Sequence, residues 1–240
     1  MSQQLRLDKY LADMGIGTRS ELKTWIRQGR VSINGAVCNK PEQKVSIELD
    51  EIFFDGTRIN YSKNIYYMLH KPAGVISATM DNVNETVLDL IKDSKGKELF
   101  PVGRLDKDTE GLLLITNDGN LAHQLLSPKK HVDKVYYAKV RGKVTEEDRE
   151  AFLIGVDIGE ERPTLPAKLK ILKSDEVSEI ELTIQEGKFH QVKRMFQAIG
   201  KEVIYLKRLS MGSLRLDEGL APGEYRELTK EEVIRLSQYN

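Results

Sequence analysis

A carboxylate set among cations is the first feature of this 240-residue chain that could do chemistry. Asp106 lies in Val102-Gly-Arg-Leu-Asp106-Lys-Asp-Thr-Glu-Gly-Leu-Leu-Leu-Ile-Thr116, a short polar loop that runs into four consecutive aliphatics, with Arg104 two residues before it. An ionised carboxylate can act as a nucleophile and split one difficult step into two easier ones. A neighbouring cation favours the ionised form. Three other segments offer partners. Lys134-Val-Tyr136 brings a ring and a phenol. Glu186-Gly-Lys-Phe-His190-Gln-Val-Lys193-Arg194-Met-Phe196 brings four basic side chains. His70-Lys71-Pro72-Ala73-Gly74 breaks its strand at Pro-Ala-Gly, which places the Lys71 ammonium at a loop mouth. Asp106 with Asp108 also invites a paired-carboxylate hydrolase. Glycosidase carboxylates need a defined separation across a sugar, however, and nothing else in the chain supports that reading.

Rigid elements must hold these groups, since loops anchored by a scaffold are where reactive side chains usually sit. Leu112 to Ile115 read as a buried strand, followed by turn chemistry at Asn117-Asp118-Gly119. Ile65 to Leu69 is a second apolar strand. The stretch from Asp81 to Gly96 is polar around one amphipathic turn. Leu121, Leu125 and Leu126 mark a short helix, and Lys134 to Val140 alternates as a strand. Thr145-Glu-Glu-Asp148 opens an acidic helix that Gly155 ends. Ile171–Leu172 and Glu179–Ile184 read as strands, the latter with Ile180, Leu182 and Ile184 on one face. Val192, Met195, Phe196 and Ile199 form a helix stripe closed by Gly200. Lys207 to Leu216 continues as a strand or strand pair, and Thr229 with Glu232 caps a C-terminal helix.

The first 40 residues have a different character. Leu7, Tyr10, Leu11 and Met14 make a helical stripe over residues 5–14, which Gly15 ends. Thr18 with Glu21 forms a capping box for a second helix bearing Leu22, Trp25 and Ile26. Val31 to Val37 reads as a hairpin turned at Asn34-Gly35. Arg6, Lys9, Arg19, Lys23, Arg27 and Arg30 lie between the apolar positions, so they point away from this small core and suit phosphate contacts. Short strand-like pieces follow at Val45–Leu49 and Ile52–Phe54, and Arg58 to Asn64 is the expected linker.

Composition excludes several classes. No apolar run approaches a membrane span, and the N-terminus lacks a signal core. The reading is therefore a cytoplasmic protein, taken as a monomer. Cys38 is the only cysteine, and His70, His123, His131 and His190 are scattered, so no metal site is expected. The 37 basic and 37 acidic residues cancel. The bases nevertheless cluster in residues 1–44, 129–143 and 187–215, which allows a basic face on a neutral molecule. Bases interleaved with aromatics around Tyr136 and Tyr137 suit RNA, because cations meet phosphates and rings stack on bases.

The central stretch resembles the signature of the RsuA-like ribosomal RNA pseudouridine synthases, G-R-L-D followed by T-x-G-L-L-L-x-T. The K-P-x-G, K-x-Y and E-G-x-x-H-Q-V-K/R-R-M motifs of that family match at Lys71, Tyr136 and 186–195. Arg6-Leu-Asp-Lys-Tyr-Leu11 and Arg19-Ser20…Ile26-Arg-Gln-Gly29-Arg-Val31-Ser-Ile33-Asn34-Gly35 resemble the S4-type RNA-binding module. The resemblance implies an α+β protein, with an S4-like domain and linker over 1–60 and a catalytic domain over 61–240. The latter would be built on a mainly antiparallel mixed sheet flanked by helices, with the active site in a cleft across it. It implies that the chain isomerises a uridine of ribosomal RNA without a cofactor. Asp106 would be the nucleophile. Lys193 would be its cationic partner, with Arg194 as rival, because the wider superfamily commonly carries an arginine there and a lysine gives only a point charge. Tyr136 would stack on the uracil. Arg104, Lys71, His190 and Arg194 would contact RNA beside the N-terminal bases, and the target uridine would flip out of its stack. Likeness along the whole chain leans towards the small-subunit enzyme. A large-subunit enzyme of the same group is the alternative. The rival from another class is a non-catalytic RNA-binding assembly factor.

Overall fold

A computed structural model of the chain describes residues 4–61, 64–92 and 98–238. Residues 62–63 of the expected linker and 93–96 of the expected polar stretch lie outside them. The chain divides into two compact units, Met1–Asn64 and Ile65–Asn240.

The N-terminal unit contains β1 (Gln4–Arg6), α1 (Leu7–Asp13), α2 (Arg19–Arg27), β2 (Val31–Ile33), β3 (Ala36–Val37), β4 (Lys44–Ser46), β5 (Ile52–Phe54) and β6 (Thr57–Ile59). Leu7, Tyr10, Leu11, Leu22, Ile26, Val31, Val45 and Ile52 form its core. The helix expected over 5–14 starts two residues later, because Gln4 to Arg6 pair with β4. The capping box at Thr18 and Glu21 is present. Asn34 and Gly35 both take positive φ in the β2–β3 turn, as a type I′ hairpin requires. Arg58 and Ile59, expected to begin a linker, instead lie in β6, which pairs with β5.

The larger unit contains β7 (Tyr66–Lys71), β8 (Phe100–Pro101), β9 (Glu110–Thr116), α3 (Gly119–Leu126), β10 (Lys134–Arg141), α4 (Glu146–Ile154), β11 (Lys168–Lys173), β12 (Val177–Ile184), α5 (Gln191–Ala198), β13 (Glu202–Met211), β14 (Leu214–Arg215), β15 (Tyr225–Glu227) and α6 (Lys230–Ser237). Its sheet runs β11-β12-β10-β13-β9-β7-β15, with β14 beside β13 and β8 beside β9. All its strand pairings are antiparallel except β13 with β9. The aliphatic run of β9 is explained by burial on both faces. Leu113 and Ile115 join the core that holds α5 and β10. Leu112 and Leu114 join the core on the other side with Leu121, Leu125 and Leu236. Strand β10 buries Lys134, Tyr136, Ala138 and Val140 on a single face, which sets the direction of the Tyr136 ring.

The one parallel junction depends on Gly111. It takes φ +105° opposite Arg208, and a Cβ there would run into the Arg208 carbonyl oxygen. Both the backbone conformation and the close approach therefore require glycine. Gly111→Ala is expected to destabilise the chain by more than about 3 kcal/mol in urea unfolding, combining backbone strain with a collision that cannot relax without separating the strands. An unchanged unfolding midpoint would show that β9 and β13 can part at no cost.

Candidate active site

Asp106 sits on the loop between β8 and β9, and that loop is fixed from below by a buried ion. Lys71, at the end of β7, is fully buried. Its ammonium donates to the carbonyls of Pro72 (2.9 Å), Asp106 (3.0 Å), Lys107 (3.3 Å) and Thr109 (2.9 Å). This corrects the expectation for Lys71. It is not at a loop mouth and cannot reach RNA, because the strand continues through it and the break at Pro72 comes after it. Its role is to gather three carbonyls of the 106–109 loop around one cation. Gly74 adds an N–H to the Lys107 carbonyl at 2.7 Å. The Ser77 hydroxyl donates to the Leu105 carbonyl at 2.9 Å and accepts from the Leu105 N–H at 3.0 Å.

Burial lowers the Lys71 ammonium to about 8, against the opposing pull of Asp108, Asp106 and Glu110. The sign follows. Between about pH 8 and the ordinary lysine value of 10.5, the unfolded chain holds more protons than the folded one, so this group contributes rising stability with pH. Over the same window the loop loses its charged anchor. Turnover is therefore expected to fall as pH rises through about 8 with no parallel loss of stability, read from a pH–rate profile beside chemical unfolding. Lys71→Met leaves several buried carbonyls unsatisfied. It is expected to cost about 3 kcal/mol of stability and at least tenfold in turnover, and to lack that alkaline decline.

Above the loop lies an open cleft of about 70 Å³, lined by Arg104, Asp106, Thr109, Tyr136, His190 and Leu206 among others. Lys193, one turn into α5, reaches Asp106 Oδ2 at 3.3 Å and Asp108 Oδ1 at 2.6 Å. His190 Nε2 lies 3.5 Å from the other oxygen of Asp106. His190 caps α5 in the left-handed conformation, φ 50°, and its ring stacks on Phe189 at 3.8 Å. Burial works against the Lys193 ammonium, but the hydrogen bond to Asp108 and the charges of both aspartates outweigh it and raise its proton affinity. Lys193 is thus a fixed positive charge at the carboxylate.

The choice between Lys193 and Arg194 is settled by geometry. One residue further round α5, Arg194 turns away. Its guanidinium binds Glu160 at 2.7 Å and the carbonyls of Phe189 (3.0 Å) and Ile158 (2.5 Å). It therefore ties the start of α5 to the 158–160 segment and has no contact with Asp106.

The N-terminal bases also divide. Asp8 is fully buried and accepts from Arg6 (3.1 and 3.0 Å) and Arg19 (3.0 Å). Both arginines remain about half exposed, so their remaining N–H groups face outward from a fixed anchor. Lys9 pairs with Asp13 at 2.8 Å. Arg30 corrects the expectation of an outward phosphate contact. Its guanidinium pairs with Asp55 and lies over the Trp25 and Phe54 rings at 4.9 and 4.7 Å, so it is committed to the fold. Lys23 and Arg27 have no acidic partner among the described residues.

Several site residues escaped the sequence reading. Thr109 is buried at the cleft with no hydrogen-bond partner for its hydroxyl. Gln191 is buried and donates to Glu186 at 2.8 Å, closing the loop before α5. Arg208, buried beside the Tyr136 position of β10, donates Nε–H to the Leu112 carbonyl at 2.8 Å. Strand parity with Leu206 was the available signal for Arg208. Among the described residues, no group of three or more histidine, cysteine or carboxylate side chains could hold a metal ion. No helix among them is long and apolar enough to cross a membrane.

Comparison with known proteins agrees with this geometry. Residues 65–198 match the RNA pseudouridylate synthase family, and residues 5–52 match the S4 domain. The chain is 49% identical to an uncharacterised RNA pseudouridine synthase, YtzG, of Bacillus subtilis over 98% of its length and 99% of that protein's. It is 42% identical to ribosomal large subunit pseudouridine synthase B of B. subtilis, covering 96% and 95% of the two chains. It is 41% identical to ribosomal small subunit pseudouridine synthase A of Vibrio cholerae, covering 97% and 99%. A crystal structure of a pseudouridylate synthase superposes with TM-score 0.70 at 40% identity, covering 97% of this chain and 99% of the other. The chain belongs to the RNA pseudouridylate synthase family, in its S4-bearing RsuA-like branch, and is an isomerase.

Proposed function

We propose that this pseudouridine synthase acts on ribosomal RNA, converting one uridine to its C-glycoside with Asp106 as nucleophile. The observation that carries the assignment is an Asp106 carboxylate that shares a cleft with the Tyr136 ring and has the Lys193 ammonium 3.3 Å away. The reaction breaks the bond from sugar C1′ to uracil N1, turns the base, forms the bond from C1′ to C5, and exchanges the proton lost from C5 for one gained at N1. Atoms and oxidation state balance, so no redox cofactor is called for. Asp106 bonds to C1′ as the bond to N1 breaks and is released as the bond to C5 forms, with the Lys193 ammonium as the positive charge beside it. Tyr136 stacks on the uracil and offers its phenol for proton transfer. A stacked uridine cannot present C1′ and C5 to this cleft, so the base leaves its stack. Arg104, exposed at the cleft, and His190 contact the RNA around it. Arg6, Lys9, Arg19 and Arg27 supply phosphate contacts from the S4 unit.

Ribosomal RNA is supported by full-length relatives named for ribosomal subunits. The small-subunit RNA is the first target to test, supported by relatives named small subunit pseudouridine synthase A. The large-subunit relative, at 42% identity, supports the second. Unmodified transcripts of both RNAs incubated with the protein and mapped for pseudouridine distinguish them. One new site in the small-subunit transcript is expected. A site only in the large-subunit transcript moves the target, and no site in either overturns the ribosomal reading.

A further inference from the structure

Scattered exposed apolar side chains are ordinary on a protein surface, but their placement in the larger unit is not scattered. Among its described large apolar residues, four are at least two-thirds exposed: Met80 (81%), Val83 (90%), Ile154 (81%) and Phe189 (68%). Ile154 ends α4. The other three lie on segments bonded to the catalytic loop. Met80 and Val83 lie between two anchors. At one end Ser77 is hydrogen-bonded in both directions to Leu105. At the other, Asn84 accepts from the Lys107 ammonium at 2.9 Å. The turn between them is rigid, because Asp81 accepts from the Val83 N–H (2.9 Å), the Asn84 N–H (2.7 Å) and the Asn84 side chain (3.2 Å). Ile76 and Thr86 close its base in a bridge. Phe189 is carried by His190, whose ring faces Asp106. Segments bonded to the loop that carries Asp106 thus hold apolar side chains at high exposure, which water alone would not favour.

We infer that the Met80–Val83 turn is a wedge that enters the base stack of the RNA beside the target uridine, with Phe189, next to His190, as a second stacking surface. The inference rests on the ribosomal RNA reading above. Apolar side chains inserted between base steps unstack them, and exposed rings bind unstacked bases. The turn's bonds to Leu105 and Lys107 fix the wedge relative to the nucleophile, so opening the stack and presenting the uridine become one movement. RNA is the favoured occupant because the surface is continuous with the cleft through Lys107 and His190, where the substrate itself must lie.

The test uses the full chain with ribosomal RNA and subunit particles isolated from cells lacking it. Met80→Ser with Val83→Ser is compared with wild type and with the apolar-conserving Met80→Leu with Val83→Ile. Both pairs are exposed, so thermal unfolding should not move. The serine pair is expected to lower kcat/KM on free RNA at least tenfold with RNA affinity changed less than threefold, and the conservative pair to remain within threefold of wild type. In an Asp106→Asn background, which binds without turnover, dimethyl sulfate reactivity of bases flanking the target should rise with the native turn and not with the serine pair. Unchanged turnover and unchanged base reactivity overturn the wedge. A defect confined to particles, with free RNA processed normally, also overturns it and assigns the turn to a protein contact. If wild type itself modifies neither RNA, the ribosomal reading has failed and the wedge falls with it.

Discussion

Asp106→Asn is expected to abolish pseudouridine formation, by at least about 10³-fold in single-turnover assays, while leaving RNA affinity unchanged or slightly improved. The substitution keeps the side chain's shape and its place in the cleft, and removes only the charge that attacks the sugar. The loop itself is held through main-chain carbonyls by Lys71, not through the carboxylate, so it should not collapse. Affinity cannot fall for electrostatic reasons, since one negative charge facing a polyanion has been lost. A variant that still makes product within tenfold of wild type would remove Asp106 from the chemistry. A variant that loses affinity along with turnover would mean that the carboxylate organises the RNA and does not react with it.

Lys193→Met carries the second large effect, a fall in kcat of about 10² to 10³-fold, or about 3–4 kcal/mol of transition-state stabilisation. The ammonium touches two carboxylates, so its loss removes the positive charge that pairs with both Asp106 and Asp108. Lys193→Arg preserves the charge and should stay within about tenfold of wild type. Arg194→Met is the control. Its guanidinium is engaged by Glu160 and two carbonyls, so stability should drop modestly while turnover stays within about tenfold of wild type. If Arg194→Met cost more turnover than Lys193→Met, the assignment of the two cations would be reversed.

What could be read before the fold was seen follows from the range of the interactions involved. Capping boxes at Thr18 and Thr229, the Asn34-Gly35 turn and the buried strand ahead of Asn117 are local devices, and all appear where their residue types indicate. Helix α5 and the parity of β12 were equally legible, because period alone sets them. The Lys193 ambiguity was not local. Adjacent residues on a helix point about 100° apart, and only the positions of Asp106 and Glu160 in space decide which of the two cations meets which carboxylate. Lys71 was misplaced for the same reason. A lysine before Pro-Ala-Gly reads as exposed, and nothing nearby in sequence announces that carbonyls 35 to 38 residues later will surround it. Arg30 was misread because its partners, Trp25, Phe54 and Asp55, include two that come from the far end of a hairpin. The parallel β9–β13 junction joins segments about 97 residues apart and leaves its trace only in Gly111.

The central claim is that Asp106 makes pseudouridine in ribosomal RNA, and a site-by-site pseudouridine map of ribosomal RNA from cells with and without this protein tests it most directly. The expected result is loss of one site, in the small-subunit RNA, restored by the wild-type chain and not by Asp106→Asn. A map that is unchanged at every site, or a site restored equally by Asp106→Asn, would contradict it.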